Sequence, residues 1–166
     1  MLRRASLATS LGTLTLTADA SGLCGLTLPE ESVLYPPPPA VATMADPLLS
    51  KAAQQILAYL HGHLRCFDLP LSLHGTPFQL QVWEQLCTIP YGKTRSYSEL
   101  AAHLGDRRKA RAVGGAARAN PLALIVPCHR LIGADGSLTG FGGGLPLKQI
   151  LLELEQENMV EHKHRE

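Results

Sequence analysis

No stretch of this sequence approaches the roughly 20 consecutive apolar residues that a membrane-spanning helix needs. Nor is there an excess of either charge. The formal net charge is +1 over 166 residues, so nothing global demands a polyanionic partner, and any basic footprint has to be local. The four cysteines, Cys24, Cys66, Cys87 and Cys128, form no C-x-x-C pair. Their spacing excludes a zinc finger and gives no disulfide framework, which points to a reducing compartment. There is no internal repeat.

What is present is enough apolar material for a packed core, 45% of the residues, in one ordinary domain or two small ones. The opening "MLRRASLATSLGTLTLTADA" imitates a secretory signal. However, Thr13, Thr15 and Thr17 alternate with Leu14 and Leu16, which is a strand pattern. Residues 6 to 17 therefore read as one strand, "ADASG" as a turn and "LCGLTL" as its hairpin partner. "YPPPPA" at 35 to 40 reads as a rigid connector, because proline lacks a donor and restricts its neighbour. Asp46 as a cap and Pro47 at the first helical position open an amphipathic helix (Leu48, Leu49, Ala52, Ala53, Ile56, Leu57, Leu60) that Gly62 closes. "CFDLPLSLHG" alternates like a short strand, at an edge because of Pro70.

From residue 76 the pattern turns helical. Thr76 and Gln79 make a capping box with Pro77 behind the cap, and Ser96 and Glu99 make a second. "YSELAAHL", the turn "GDRRK" and the helix "ARAVGGAARA" fit a helix-turn-helix. A last helix is expected from about Leu147 to Glu157, followed by a fraying tail. The expected architecture is α+β. Residues 1–75 form a small α/β half, a short antiparallel sheet plus a helix. Residues 76–166 form a mostly helical half with a winged helix-turn-helix-like motif.

Cys128 stands out in "IVPCHRLIG". A structural cysteine needs no basic neighbours, whereas a nucleophilic one gains from a base and a cation, here His129 and Arg130. A carboxylate could hold the imidazole in the useful tautomer; Glu153 and Glu155 both qualify by position. The helix "ARAVGGAARA" is thin-surfaced. The DNA minor groove, about 6 Å wide, excludes an ordinary helix. Arg111 and Arg118 lie two turns apart on one face, and Arg107, Arg108 and Lys109 crowd the preceding turn, supplying a local basic footprint. Asn120-Pro121 makes a sharp junction between this helix and the Cys128 segment. "GFGGGLP" is a loop in which Phe141, Gly142 and Gly143 could receive a flat ligand.

Together "VPCHRLIG", "ARAVGGAARANP", "IPYGKTRSYSELA" and "GGGLPLKQILLELE" resemble the O6-alkylguanine-DNA alkyltransferases over nearly all of residues 76 to 157. The resemblance implies a single-use repair protein. It flips O6-alkylguanine out of duplex DNA and moves the alkyl group to its own cysteine, with O4-alkylthymine open as a second substrate. Cys128 is then the acceptor, His129 its base through a water, and Glu155 the group orienting His129. Tyr97 would contact the flipped base and rotate the phosphate, and Lys148 would lie near the leaving guanine. Asn120 would brace the hinge and Arg111 would fill the gap in the base stack. Arg118, Ser96 and Ala117 would join Tyr97 at the DNA, and Phe141, Gly142 and Gly143 would line the base pocket. Phe141 stands where many members carry tyrosine, and Leu131 where valine is commoner. Some members bind zinc in the N-terminal half; no matching ligand set occurs here, so no metal and no cofactor are expected. The expected partner is double-stranded DNA, the expected state a monomer, and the expected place the cytoplasm, or the nucleus of a eukaryote.

Three other readings remain. A non-repairing lesion binder would lack the acceptor cysteine. A cysteine hydrolase would turn over a thioester or peptide. A sequence-specific regulator needs polar base-reading side chains that "AVGGAARA" largely lacks.

Overall fold

The structure is a computed structural model, and it describes residues 1–29, 40, 45–141 and 144–165. The chain divides into two compact units, Met1–His74 and Gly75–Glu166. Most of the proline-rich stretch at 35 to 40 lies outside the described residues, as do Gly142 and Gly143.

The first unit is built on an antiparallel sheet of β1 (Arg3–Thr9), β2 (Gly12–Ala18) and β3 (Leu23–Thr27), in that order. The single strand expected over residues 6 to 17 is two strands. Gly12, at φ 111, turns the chain, the buried positions slip there from odd (Ala5, Leu7) to even (Leu14, Leu16, Ala18), and Thr9 Oγ1 donates across the turn to the Gly12 carbonyl at 2.6 Å. The β2–β3 hairpin forms as expected. Alternation places Leu14, Leu16 and Ala18 in the core, under α1 (Pro47–Leu60), which contributes Leu49, Ala52, Ala53, Ile56 and Tyr59. Asp46 caps α1, accepting from the Leu48 and Leu49 amides at 3.0 Å each, and is ion-paired with Arg3. The strand expected in "CFDLPLSLHG" is only a single bridge, Leu23 to Leu71. Pro70 has no donor and contributes its carbonyl alone, to Leu23 N at 2.8 Å.

The second unit contains α2 (Pro77–Leu86), β4 (Arg95–Ser96), α3 (Tyr97–His103), α4 (Ala110–Arg118), β5 (Leu131–Ile132) and α5 (Leu145–Arg165). Both capping boxes form. α3 and α4 make the helix-turn-helix, joined by a short 3-10 turn at Arg107–Lys109. β4 and β5 pair in parallel, tying the start of α3 to the segment just after Cys128. α5 is longer than expected at both ends. Pro146 is tolerated in a first turn, and residues 157–165 contain neither glycine nor proline to stop the helix. Trp83 of α2 is buried and donates its indole N–H to the Ala116 carbonyl of α4 at 2.8 Å, which fixes the thin helix against its neighbour. Among the described residues no helix is long and apolar enough to cross a membrane.

Candidate active site

Residues 120–130 form an irregular, almost wholly buried segment between α4 and β5. Its shape is set locally. Asn120 Oδ1 accepts from Leu122 N at 2.9 Å, and Asn120 Nδ2 donates to the Val126 carbonyl at 2.8 Å. The same carbonyl takes the Cys128 amide at 2.8 Å. Leu124 sits at φ 72, a left-handed conformation unusual for a branched side chain. Thus one asparagine clamps the turn from end to end, and Cys128 follows in a short 3-10 turn, Cys128–Arg130.

Cys128 is the one buried cysteine of the four. Burial pushes its thiol above the ordinary cysteine range, opposed by a hydrogen bond from Asn120 and by the Lys148 ammonium. The cation beside the sulfur is therefore Lys148, not the sequence neighbour Arg130. Lys148 is itself buried. It donates to the Leu131 carbonyl and, at 2.8 Å, to that of Thr139. Burial pushes its ammonium below the usual lysine range, and Cys128 acts in the other direction.

Glu155, not Glu153, faces the imidazole. Its Oε1 lies 2.9 Å from His129 Nε2, with the two side chains 1% and 0% exposed. Arg130 turns away from the sulfur to grip the same carboxylate, Nε at 3.0 and 3.1 Å and Nη2 at 2.7 Å. Its Nη1 donates to the Ile89 carbonyl at 2.7 Å. The Gly92 amide adds a further bond to Glu155 at 3.2 Å. Burial pushes the Glu155 carboxyl up, but hydrogen bonds from His129 and Arg130 outweigh it and hold the group at about 2. Burial drives the His129 imidazole below its ordinary value, against the pull of Glu155. A buried carboxylate on Nε2 requires the hydrogen there, so Nδ1 is the basic nitrogen of a neutral ring.

Outside this network, a cleft of about 490 Å³ runs along α4, lined by Ala110, Arg111, Gly114, Gly115 and Arg118 with Tyr97, Thr139 and Gly140. The Tyr97 hydroxyl donates to the Thr139 carbonyl at 2.9 Å, so that oxygen serves both Tyr97 and Lys148. Arg111 and Arg118 are exposed on this face. Ser96 and Ala117, expected at the DNA, are buried. The Ser96 hydroxyl caps α3 by accepting from Glu99 N at 3.1 Å, and Ala117 faces the core, so neither side chain lines the cleft. Phe141 is half-buried. Sequence reasoning missed the Gly92 amide and the Thr139 carbonyl, because backbone groups carry no residue signature. It also missed Trp83, whose place among apolar helix residues marks it only as core. Among the described residues no three His, Cys, Asp or Glu side chains converge as a metal site would require.

The chain matches two family models. Residues 77–157 match "6-O-methylguanine DNA methyltransferase, DNA binding domain", and residues 2–73 match "6-O-methylguanine DNA methyltransferase, ribonuclease-like domain". A methylated-DNA–protein-cysteine methyltransferase of Mycobacterium bovis is 47% identical over 156 residues, 94% of this chain and 93% of that one. One of Methanosarcina barkeri is 53% identical over 109 residues, 66% of this chain and 69% of the relative. The solved structure of Mycobacterium tuberculosis OGT in complex with DNA superposes with a TM-score of 0.82 at 46% identity, covering 93% of each chain.

Proposed function

The chain belongs to the 6-O-methylguanine DNA methyltransferase family, and on that premise we propose that it repairs DNA by moving the alkyl group of O6-alkylguanine onto Cys128, once per molecule. The observation that carries this reading is the buried set of groups around the 3-10 turn: Cys128 beside Lys148 and Asn120, and a neutral His129 held by an ionised Glu155. A hydrolase needs a second step to release its acyl group. Here the product is a thioether, which has no comparable leaving group.

The Cys128 proton passes to His129 Nδ1, directly or through a water. The sulfur attacks the alkyl carbon, an S–C bond forms and the C–O bond breaks. The electron pair goes to the guanine, which takes up a proton, matching the one the thiol gave up, and stays in the DNA as the normal base. Lys148 offsets negative charge on the sulfur before attack. A thiol as buried as that of Cys128 cannot reach O6 of a stacked guanine, so the base must be extruded, at a cost of a few kcal/mol. The thin face of α4, with Arg111 to fill the vacated space and Tyr97 at the rim of the cleft, supports that step. DNA is the partner, and the protein acts on it as a monomer in this scheme.

Intact-mass measurement after incubation with duplex DNA carrying O6-methylguanine tests the reading. One added methyl, mapped to Cys128, is expected, with no second turnover. Steady turnover, or methyl on Cys24, Cys66 or Cys87, overturns it.

A further inference from the structure

The sequence presents Arg107, Arg108 and Lys109 as one basic cluster, but the structure separates them. Arg108 is bound to Asp106, Nε to Oδ1 at 3.1 Å, with its backbone amide on the same oxygen at 3.0 Å. The Asp106 carboxyl is held below the usual range by the Arg108 hydrogen bonds first, with a further contribution from Lys109. The Lys109 ammonium also sits 5.8 Å from the centre of the Phe78 ring. Arg107 is exposed and, among the described residues, has neither a carboxylate nor a ring as partner.

Its position along the helix axis matters as much as its charge. The cleft uses Ala110, Arg111, Gly114, Gly115 and Arg118 of α4, a stripe at spacings of three and four. Counting back three residues from Ala110, or four from Arg111, reaches Arg107 in the 3-10 turn. The stripe therefore has an arginine at each end, with only small side chains and Arg111 between. The ends lie eleven residues apart, roughly 16 Å along a helical rise, so they address phosphates of different nucleotides.

We propose that Arg107 extends the DNA face of α4 by one turn and holds a backbone phosphate there, while Arg108 and Lys109 are engaged within the protein. This rests on the DNA-repair reading above. An arginine fits the role, since its fork pairs with two phosphate oxygens.

The test is the salt dependence of binding to an undamaged duplex, followed by fluorescence anisotropy from about 50 to about 200 mM salt. The slope of log K against log salt should fall in magnitude by about 0.9 in Arg107→Ala. Arg107→Lys should restore the wild-type slope, and Lys109→Ala should leave it unchanged. A wild-type slope in Arg107→Ala overturns the proposal, and so do equal reductions in Arg107→Ala and Lys109→Ala, which mean a diffuse basic patch. Failure of the underlying reading looks different: the wild-type protein then neither binds duplex DNA nor accepts methyl from it.

Discussion

The carboxylate of Glu155 lies 2.9 Å from His129 Nε2 in a place neither side chain shares with solvent. Arg130 grips the same carboxylate with three contacts, two of them on the oxygen that faces His129. Removing the charge of Glu155 leaves the Arg130 guanidinium buried without its counter-ion, and breaking a buried pair in this way costs roughly 3–5 kcal/mol.

Glu155→Gln should therefore destabilise the protein by that order at neutral pH. The folded-state value of Glu155, about 2, is depressed from 4.5. Its contribution is complete above pH 4.5 and is lost as pH falls through about 2. The stability gap between wild type and Glu155→Gln should shrink across that window. Denaturant unfolding at neutral pH and near pH 3 measures it, and a gap independent of pH removes Glu155 from this role.

A base and a cation beside it would by themselves bring the thiol of Cys128 below the ~8.5 of a free cysteine. Burial places it above the ordinary range instead, so the resting group is a neutral thiol that needs its base during the reaction. Alkyl transfer should keep accelerating past pH ~8.5. His129→Ala should slow transfer about 10²–10⁴-fold, the usual contribution of a placed base. Single-turnover rates against pH give both answers; unchanged reactivity in His129→Ala excludes the imidazole from proton transfer.

Arg111 separates base extrusion from simple binding. If it fills the vacated stack, Arg111→Ala should slow transfer from duplex DNA much more than transfer from free O6-benzylguanine, because extrusion costs a few kcal/mol and each 1.4 kcal/mol is tenfold. Equal slowing of both substrates would mean that Arg111 supports the pocket and not the duplex.

Gly115 gives a test in the opposite direction on stability. A Cβ there meets nothing within 4 Å, so packing within the protein does not require glycine. Gly115→Ala should stabilise the free protein by roughly 0.5–1 kcal/mol through helix propensity. The added methyl stands on the face lining the cleft, so repair of duplex DNA should slow while free-base transfer does not slow to match. Thermal melting and paired single-turnover assays check the two halves; faster duplex repair would contradict the close-approach reading of α4.

Local features were legible in the sequence because their hydrogen bonds close within a few residues. Thr76 with Gln79, Ser96 with Glu99, and Asp46 with Leu48 and Leu49 all belong to this group. The split of β1 from β2 leaves only a short trace in the sequence, a slip of the buried positions from odd (Ala5, Leu7) to even (Leu14, Leu16, Ala18) across the turn at Gly12. Choosing Glu155 over Glu153 required the register of α5 against a segment 26 residues away. Sequence adjacency placed Arg130 beside Cys128, yet consecutive side chains in a 3-10 turn diverge, and Arg130 reaches Ile89 and Glu155 instead. Lys148 reaches the sulfur's surroundings from α5, a closeness that only tertiary packing creates.

A molecule that can react only once has to keep its nucleophile intact until a lesion arrives. Peroxide and disulfide chemistry act on thiolates that solvent can reach. Cys128 is 8% exposed and is held as a thiol by its burial, whereas Cys66 lies open at the surface. Under mild oxidant, sulfenic acid and mixed disulfides should accumulate on Cys66 while Cys128 stays reduced. The same desolvation that slows its ionisation thus gives the unused protein a long shelf life.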